Sequence, residues 1–362
     1  MHVVICGGGV IGACTALFLA RRGIEVTVVE RCEVASSASG KAGGFLALDW
    51  CAGSPLDALA RRSFALHAEL RDELGGDWGY QRMTAYSGLI VGERAYAGGR
   101  RDWLSESVVI RGQLSTPATT AIVHPRSFTQ GLMREAEQLG ARLRVGQVTG
   151  IAGNDASVDG VVVDGEPLRA DAVVIAMGPW SLRAAQWLRL PLVFGQQSPS
   201  LVYDTGKDVP AEALFLDDPD DLSLGTLEVF PRADGSTHVT AFSVPAPLPL
   251  DPAAVAPDPE ALARLQSICE RLSPAFRAER IIARQCCFRP VTQDGLPLIG
   301  KVGGRERAYV ATGHNVWGIL NAPATGEALA ELIADGAATT TDLAPFDPAR
   351  LRPLDPTSIR IG

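Results

Sequence analysis

The stretch from His2 to Glu30 leaves the start of this chain very few ways to fold. HVVIC reads as a buried strand, GGGVIG as a turn, VIGACTALFLARRG as a helix and EVTVVE as a second strand. Gly7, Gly9 and Gly12 fill the spacing G-x-G-x-x-G. The first glycine permits the tight turn, the second lets backbone approach a diphosphate, and the third lets the helix pack on the strand. Amides at the helix start, those of Val10 and Ile11 among them, then face the phosphates. Glu30 closes the second strand eighteen positions after Gly12, where its carboxylate can accept from the hydroxyls of an adenosine ribose. Such a carboxylate repels a 2'-phosphate, which argues against NADP, and Arg31 follows it at the same edge. The pattern predicts a dinucleotide site without choosing between NAD and FAD.

Strand, glycine and helix succeed each other twice more. In ADAVVIAMGPWSLRAAQWL, Asp171 to Ala176 reads as a strand, Gly178 breaks it and Pro179 suits a first helical turn. In AYVATGHNVWGILNAPATGEALAELIADG, Ala308 to Thr312 reads as a strand and Gly313 to Asn321 as a loop, with a helix expected from Pro323 to near Gly336. The positive end of that helix faces whatever lies in the loop, where it suits the negative charge of a reduced flavin. One such unit suffices for a compact NAD domain. Three, spread over the whole length, suggest a larger ligand gripped by distant segments.

At 362 residues the chain suits two domains, which can be interleaved. A net charge of -8 and a pI near 5.3 oppose a nucleic-acid groove, which needs a dense cationic surface. Only three lysines occur, Lys41, Lys207 and Lys301. No apolar run is long enough to cross a bilayer, and Met1 leads straight into a strand without a secretory leader, so a cytoplasmic protein is expected. Seven cysteines, an odd number without metal-type spacing, read as reduced core thiols; no metal site is expected.

Taken together, GGGVIGACTALFLARRG...VVE, ASSASGKAGGF, VVIAMGPWS and FRPVTQDGLPLIG...YVATGHNVWGI resemble, in order and over essentially the whole chain, the D-amino-acid oxidase superfamily of FAD-dependent oxidoreductases. Glycine oxidase, D-amino acid dehydrogenase and sarcosine oxidase belong to that group. SGKAGGFLALDW and GHNVWGILNAPATG look most similar to a little-characterised branch of oxidoreductases from fungi and plants. The resemblance implies FAD as cofactor and an α/β (α+β overall) fold, in which a Rossmann-like FAD-binding domain interleaves with a smaller antiparallel-sheet substrate domain. Segments 1–85, 125–195 and 280–362 are expected in the first, and 86–124 and 196–279 in the second. The alternation of YSGLIVGE and THVTAFSV fits strands of the second, whereas PRSFTQGLMREAEQLGA reads as a helix.

By the same resemblance, Ser36, Ser37, Ser39, Gly40 and Lys41 line the diphosphate and ribityl path, and Gly43, Gly44 and Phe45 run near the flavin ring. Val148, ending the strand ARLRVGQV, is expected at the adenine, and Gly178 and Trp180 at the dinucleotide. Gly313, His314, Gly318, Ile319 and Leu320 border the pyrimidine edge, with His314 a candidate for catalysis.

Arg289, in CCFRPVTQDG, is the expected substrate anchor, since a guanidinium fork matches a carboxylate in two parallel hydrogen bonds. Thr292, Asp294 and Gly295 read as the makers of a turn. Cys287 falls where sarcosine-oxidase-like proteins carry a cysteine bonded to the flavin; a small buried hydrophobe is the competing reading. The resemblance implies oxidation of a C–N bond in a small amine or amino acid, with electrons passed to oxygen or another acceptor. An FAD-dependent 2-hydroxy-acid dehydrogenase, a non-catalytic FAD-binding protein and an NAD-dependent dehydrogenase are the alternatives.

Overall fold

Apolar runs at the start of the chain and near residues 173 and 310 become the middle of a six-stranded sheet. The structure, a computed structural model, describes residues 1–92 and 96–358. Residues 93–95 and 359–362, which fall in the expected segments 86–124 and 280–362, lie outside the described residues. The strand order is Leu298–Lys301, Ala308–Thr312, Ala172–Ile175, His2–Cys6, Glu25–Glu30 and Arg142–Val145. Every neighbouring pair is parallel except the first, which is antiparallel.

Both faces of this sheet are covered, which is why its strands are apolar without alternation. Val3 and Ile5 face the helices, whereas Val4 and Cys6 meet Val158, Val161 and Val163 of a small antiparallel sheet. The helix Val10–Arg21 is buried at ten of its twelve residues, because helices Pro125–Gln138 and Gly318–Ala334 also pack on it. Its contact with the last of these is close: a Cβ on Gly326 would sit 2.6 Å from the backbone carbon of Cys14.

The second large sheet has seven strands in the order Ile281–Thr292, Val193–Asp204, Ser236–Thr240, Thr226–Pro231, Glu212–Asp217, Thr84–Ile90 and Val108–Ser115. It departs from a purely antiparallel sheet at one place, where Glu212–Asp217 runs parallel to Thr84–Ile90. Residues 281–292 pair here along Val193–Asp204, although they were grouped by sequence with the nucleotide-binding segments. On one face Leu201, Leu214, Leu227 and Val239 pack under the helix Pro259–Leu272. The opposite face is left to roof a cavity.

Two sequence expectations fail. The strand expected to end at Val148 ends at Val145, and Val148 opens the next strand, Val148–Gly153. The last helix starts at Gly318, with Pro323 inside it, so the expected loop through Asn321 is shorter. Proline has no N–H to offer the carbonyl four residues back, that of Ile319. A buried histidine fills the gap: His67 Nε2 lies 3.0 Å from Ile319 O and 3.2 Å from Leu320 O. Ser63, one turn earlier on the helix Asp57–Leu74, accepts from Ala324 N at 3.1 Å. A neighbouring helix thus supplies what the proline removes.

Candidate active site

Two cavities meet between the sheets. The first runs past Gly7, Glu30, Arg31, Ser36, Ser37, Val148 and Trp180; the second, of about 440 Å³, lies under the seven-stranded sheet. Gly9, Ala38, Ser39, Ala176 and Gly178 line both, so they join into one elongated channel.

The first arm is built from backbone. Gly7, at φ +113°, lies so close to the neighbouring strand that a Cβ would sit 2.4 Å from Ala176 O. Gly9, at the N-cap, has no side chain to cap the helix that follows, and Ser39 Oγ accepts from its first amide, Val10 N, at 2.9 Å. Glu30 is fixed by two amides, with Oε2 accepting from Gly8 N at 2.7 Å and Oε1 from Cys32 N at 2.9 Å. Each carboxylate oxygen keeps a second lone pair for a ligand hydroxyl. Trp180 Nε1 donates to Pro249 O at 2.7 Å and Arg31 Nη1 to Leu250 O at 3.0 Å, tying a loop of the second sheet over this arm. Arg183 also lines it, with a buried Nε that meets no acceptor among the described residues. That orphaned guanidinium proton, a helix start held by a side chain at Val10 N alone and a prepared ribose acceptor together fit an elongated anionic dinucleotide.

The second arm is lined by Val10, Ile11, Lys41, Gly43, Gly44, Phe45, Gly318 and Ile319 below the sheet, and by Cys287 and Arg289 from its edge strand. Gly43 has to be glycine, since a Cβ there would lie 2.3 Å from the Phe230 ring. Arg289 Nε donates to Ser198 Oγ at 3.2 Å, Nη1 to Asn315 Oδ1 at 3.1 Å, and Nη2 to Gln196 Oε1 at 3.3 Å and Ser243 Oγ at 2.7 Å. The open fork expected from the sequence is therefore largely engaged, and one Nη1 proton of the five is unassigned. All four acceptors are neutral, so no hydrogen-bonded carboxylate cancels the positive charge.

His314 is buried; its ring nitrogen lies 3.1 Å from Thr325 Oγ1, and burial pushes its pKa down to about 3. A ring held neutral in this way is a polar wall and carries no charge at neutral pH. Burial raises the Cys287 thiol to about 11, with Arg289 and Lys41 pulling the other way. Asp294 shapes the turn as expected, accepting from Thr292 Oγ1 and Leu296 N and pairing with Arg350 at 2.7 Å.

Four of the residues expected at the ligand do not line the channel: Gly12, Gly40, Gly313 and Leu320. Gly12 and Gly40 serve packing instead, since a Cβ would meet Gly7 O at 2.0 Å and Ala35 O at 1.9 Å respectively. The sequence reading missed Trp50, Phe215, Glu228, Phe230, His238 and Asn315, all of which line the second arm. Thr226, Glu228 and Phe230 share one strand face by period two, a signal visible in TLEVFP.

A sheet with its helices, a roofing second sheet and a channel for an elongated dinucleotide between them define a dinucleotide-binding protein with an enclosed cavity at one end of the channel. The model of the DAO family, FAD dependent oxidoreductase, matches residues 2–332, and the chain belongs to that family. Its cofactor is accordingly FAD. A protein of Schizosaccharomyces pombe described as an oxidoreductase is 28% identical, the match covering 96% of this chain and 97% of that protein. Glycine oxidase of Pseudomonas aeruginosa is also 28% identical, with 96% and 98% covered. The crystal structure of glycine oxidase from Geobacillus kaustophilus superposes with a TM-score of 0.80 at 27% identity, covering 96% of this chain and 98% of that one. No described helix is long and apolar enough to cross a membrane.

Proposed function

We propose that this protein oxidises the C–N bond of a small amine or amino acid to an imine, passing the electrons on to oxygen or another acceptor. The observation that carries the reading is Arg289, a half-buried cation inside the cavity whose hydrogen-bond partners are all neutral. A substrate carboxylate completes it, taking the unassigned Nη1 proton and displacing Asn315 Oδ1 from the other. The similarity to glycine oxidases supports the same substrate class.

In this reading Gly7, Gly9, Val10, Ile11, Ser36, Ser37 and Ser39 hold the diphosphate path, Glu30 the ribose, and Val148 the adenine. FAD, when bound, supplies the two-electron acceptor for a hydride leaving the carbon next to nitrogen. The chain's own contribution is orientation and water exclusion. Arg289 fixes one end of the substrate, the sheet face above closes the cavity, and neutral His314 with the start of the 318–334 helix lines the floor. We place residues 281–292 and 193–204 in the substrate-side portion, because their pairing forms the roof edge that carries Arg289.

Anaerobic mixing of the holoenzyme with matched amines, amino acids and 2-hydroxy acids tests the proposal. Flavin bleaching by members of the first two groups is expected. Bleaching by hydroxy acids alone reassigns the enzyme to 2-hydroxy-acid oxidation. Arg289→Leu is expected to raise KM about a hundredfold for carboxylate-bearing substrates, by loss of a charged hydrogen-bond pair, while decarboxylated amines are nearly unaffected. Equal losses for both remove the anchor.

A further inference from the structure

Glu228 is the sole carboxylate among the described residues that line the cavity under the sheet. It stands on the strand Thr226–Pro231, where Leu227 and Val229 turn into the core and Thr226, Glu228 and Phe230 turn toward the cavity. No described group donates a hydrogen bond to its oxygens, and burial raises its pKa to about 7 against the pull of Arg289. An enclosed carboxylate without a donor is costly unless a ligand supplies one.

Its neighbours are aromatic. Phe215 is its cross-strand partner and Phe230 follows on the same face. Phe45 stacks on Phe230 with centroids 5.3 Å apart, and Trp50 lies 5.0 Å from Phe45 and 4.8 Å from Phe215. The four rings line the cavity beside the carboxylate, Phe230 stacked between Phe45 and His238, and aromatic rings attract cations. Arg289 stands on the edge strand: strands Val193–Asp204 and Ser236–Thr240 lie between the strands that carry the two residues, and the two charges act on each other across the cavity. The hydrogen bonds of Arg289 go to Ser198, Asn315, Gln196 and Ser243, and none goes to Glu228. A substrate touching both must carry its carboxylate and its positive charge on different atoms, one at each residue.

We propose that Glu228 with Phe45, Trp50, Phe215 and Phe230 forms a subsite for a distal alkylammonium group, so that the substrate is an amino acid with a cationic side chain. The inference rests on the C–N oxidation reading and narrows its substrate class. The other ionisable side chains facing Glu228 across the cavity are Lys41, His238, Cys287, Arg289 and His314. Burial keeps both histidines neutral and the thiol protonated at neutral pH, so Glu228 is the acidic group that changes charge there.

The test uses two ligands of the same shape that cannot be oxidised at nitrogen, 4-(trimethylammonio)butanoate and 5,5-dimethylhexanoate. Each is titrated into the FAD-loaded enzyme and followed by calorimetry and by the visible flavin spectrum. At pH 8 the cationic ligand is expected to bind about tenfold more tightly, and Glu228→Gln, with its FAD content verified, to abolish the preference. In the wild type the preference falls as pH drops through 7, an arm that holds even if the variant fails to fold. Equal affinities, binding of neither ligand, or a preference that survives in the variant or is flat with pH overturns the subsite. If the cationic ligand is preferred but no amine bleaches the flavin, the oxidation reading fails and the subsite stands; bleaching with equal binding gives the reverse.

Discussion

Replacing His67 by phenylalanine probes how the helix at the cavity floor tolerates its proline. The ring volume is kept, but the bonds to Ile319 O at 3.0 Å and Leu320 O at 3.2 Å are lost. Ile319 O has no helical donor because residue 323 is proline, so a buried carbonyl is left unpaired at a cost of about 2 kcal/mol. Spread over a chain of 362 residues, with unfolding entropy of about 2.1 cal/mol/K per residue, this lowers Tm by about 3 °C at pH 7.5. Acid reverses the order. Burial lowers the His67 pKa from 6.5 to about 4, so the unfolded chain binds a proton near pH 6 that the native state refuses. Native stability at this site is complete above 6.5 and falls by about 1.4 kcal/mol per pH unit down to 4. The variant lacks that penalty, and His238 and His314 titrate alike in both proteins. The two melting curves should therefore cross near pH 5, the wild type being more stable above and the variant below. Differential scanning calorimetry from pH 4.5 to 8 checks this. A deficit of constant size across that range refutes the role assigned to His67.

Two further outcomes are expected. Because burial holds the Cys287 thiol protonated, acid precipitation of the holoenzyme should leave the yellow colour in the supernatant, and a yellow pellet would establish a covalent flavin. Gly43→Ala places a Cβ 2.3 Å from the buried Phe230 ring, an overpacking cost of about 1–3 kcal/mol that should weaken FAD retention about tenfold; unchanged release, followed by flavin fluorescence, contradicts it.

Much of the nucleotide arm was legible in the amino-acid order. Gly7, Gly9, Glu30 and Gly178 are local features, each tied to a turn, a helix start or a strand end, and each lines the channel, as does Ser39, which the family resemblance supplied. Gly12 belongs to that local pattern and Gly40 to the family resemblance, yet both serve packing, because a motif records where glycine is needed and not whether the need is a ligand or a neighbouring carbonyl. Glu228 was missed for the opposite reason. TLEVFP shows an acid on one strand face, but what that face meets depends on Phe45 and Trp50, nearly two hundred residues away.

Pro323 draws the boundary most sharply. By the local rules for helix starts it marks a first turn, and the helix nevertheless begins five residues earlier. Apolar periodicity and glycine spacing alone determined the first strand–turn–helix–strand unit and the dinucleotide end of the channel it builds, since those depend on residues a few positions apart. The tertiary structure alone decided where the last helix begins, which groups satisfy Arg289 and which charge stands opposite it. Those depend on buried polar atoms finding partners across the fold, and no short window of sequence contains both members of such a pair.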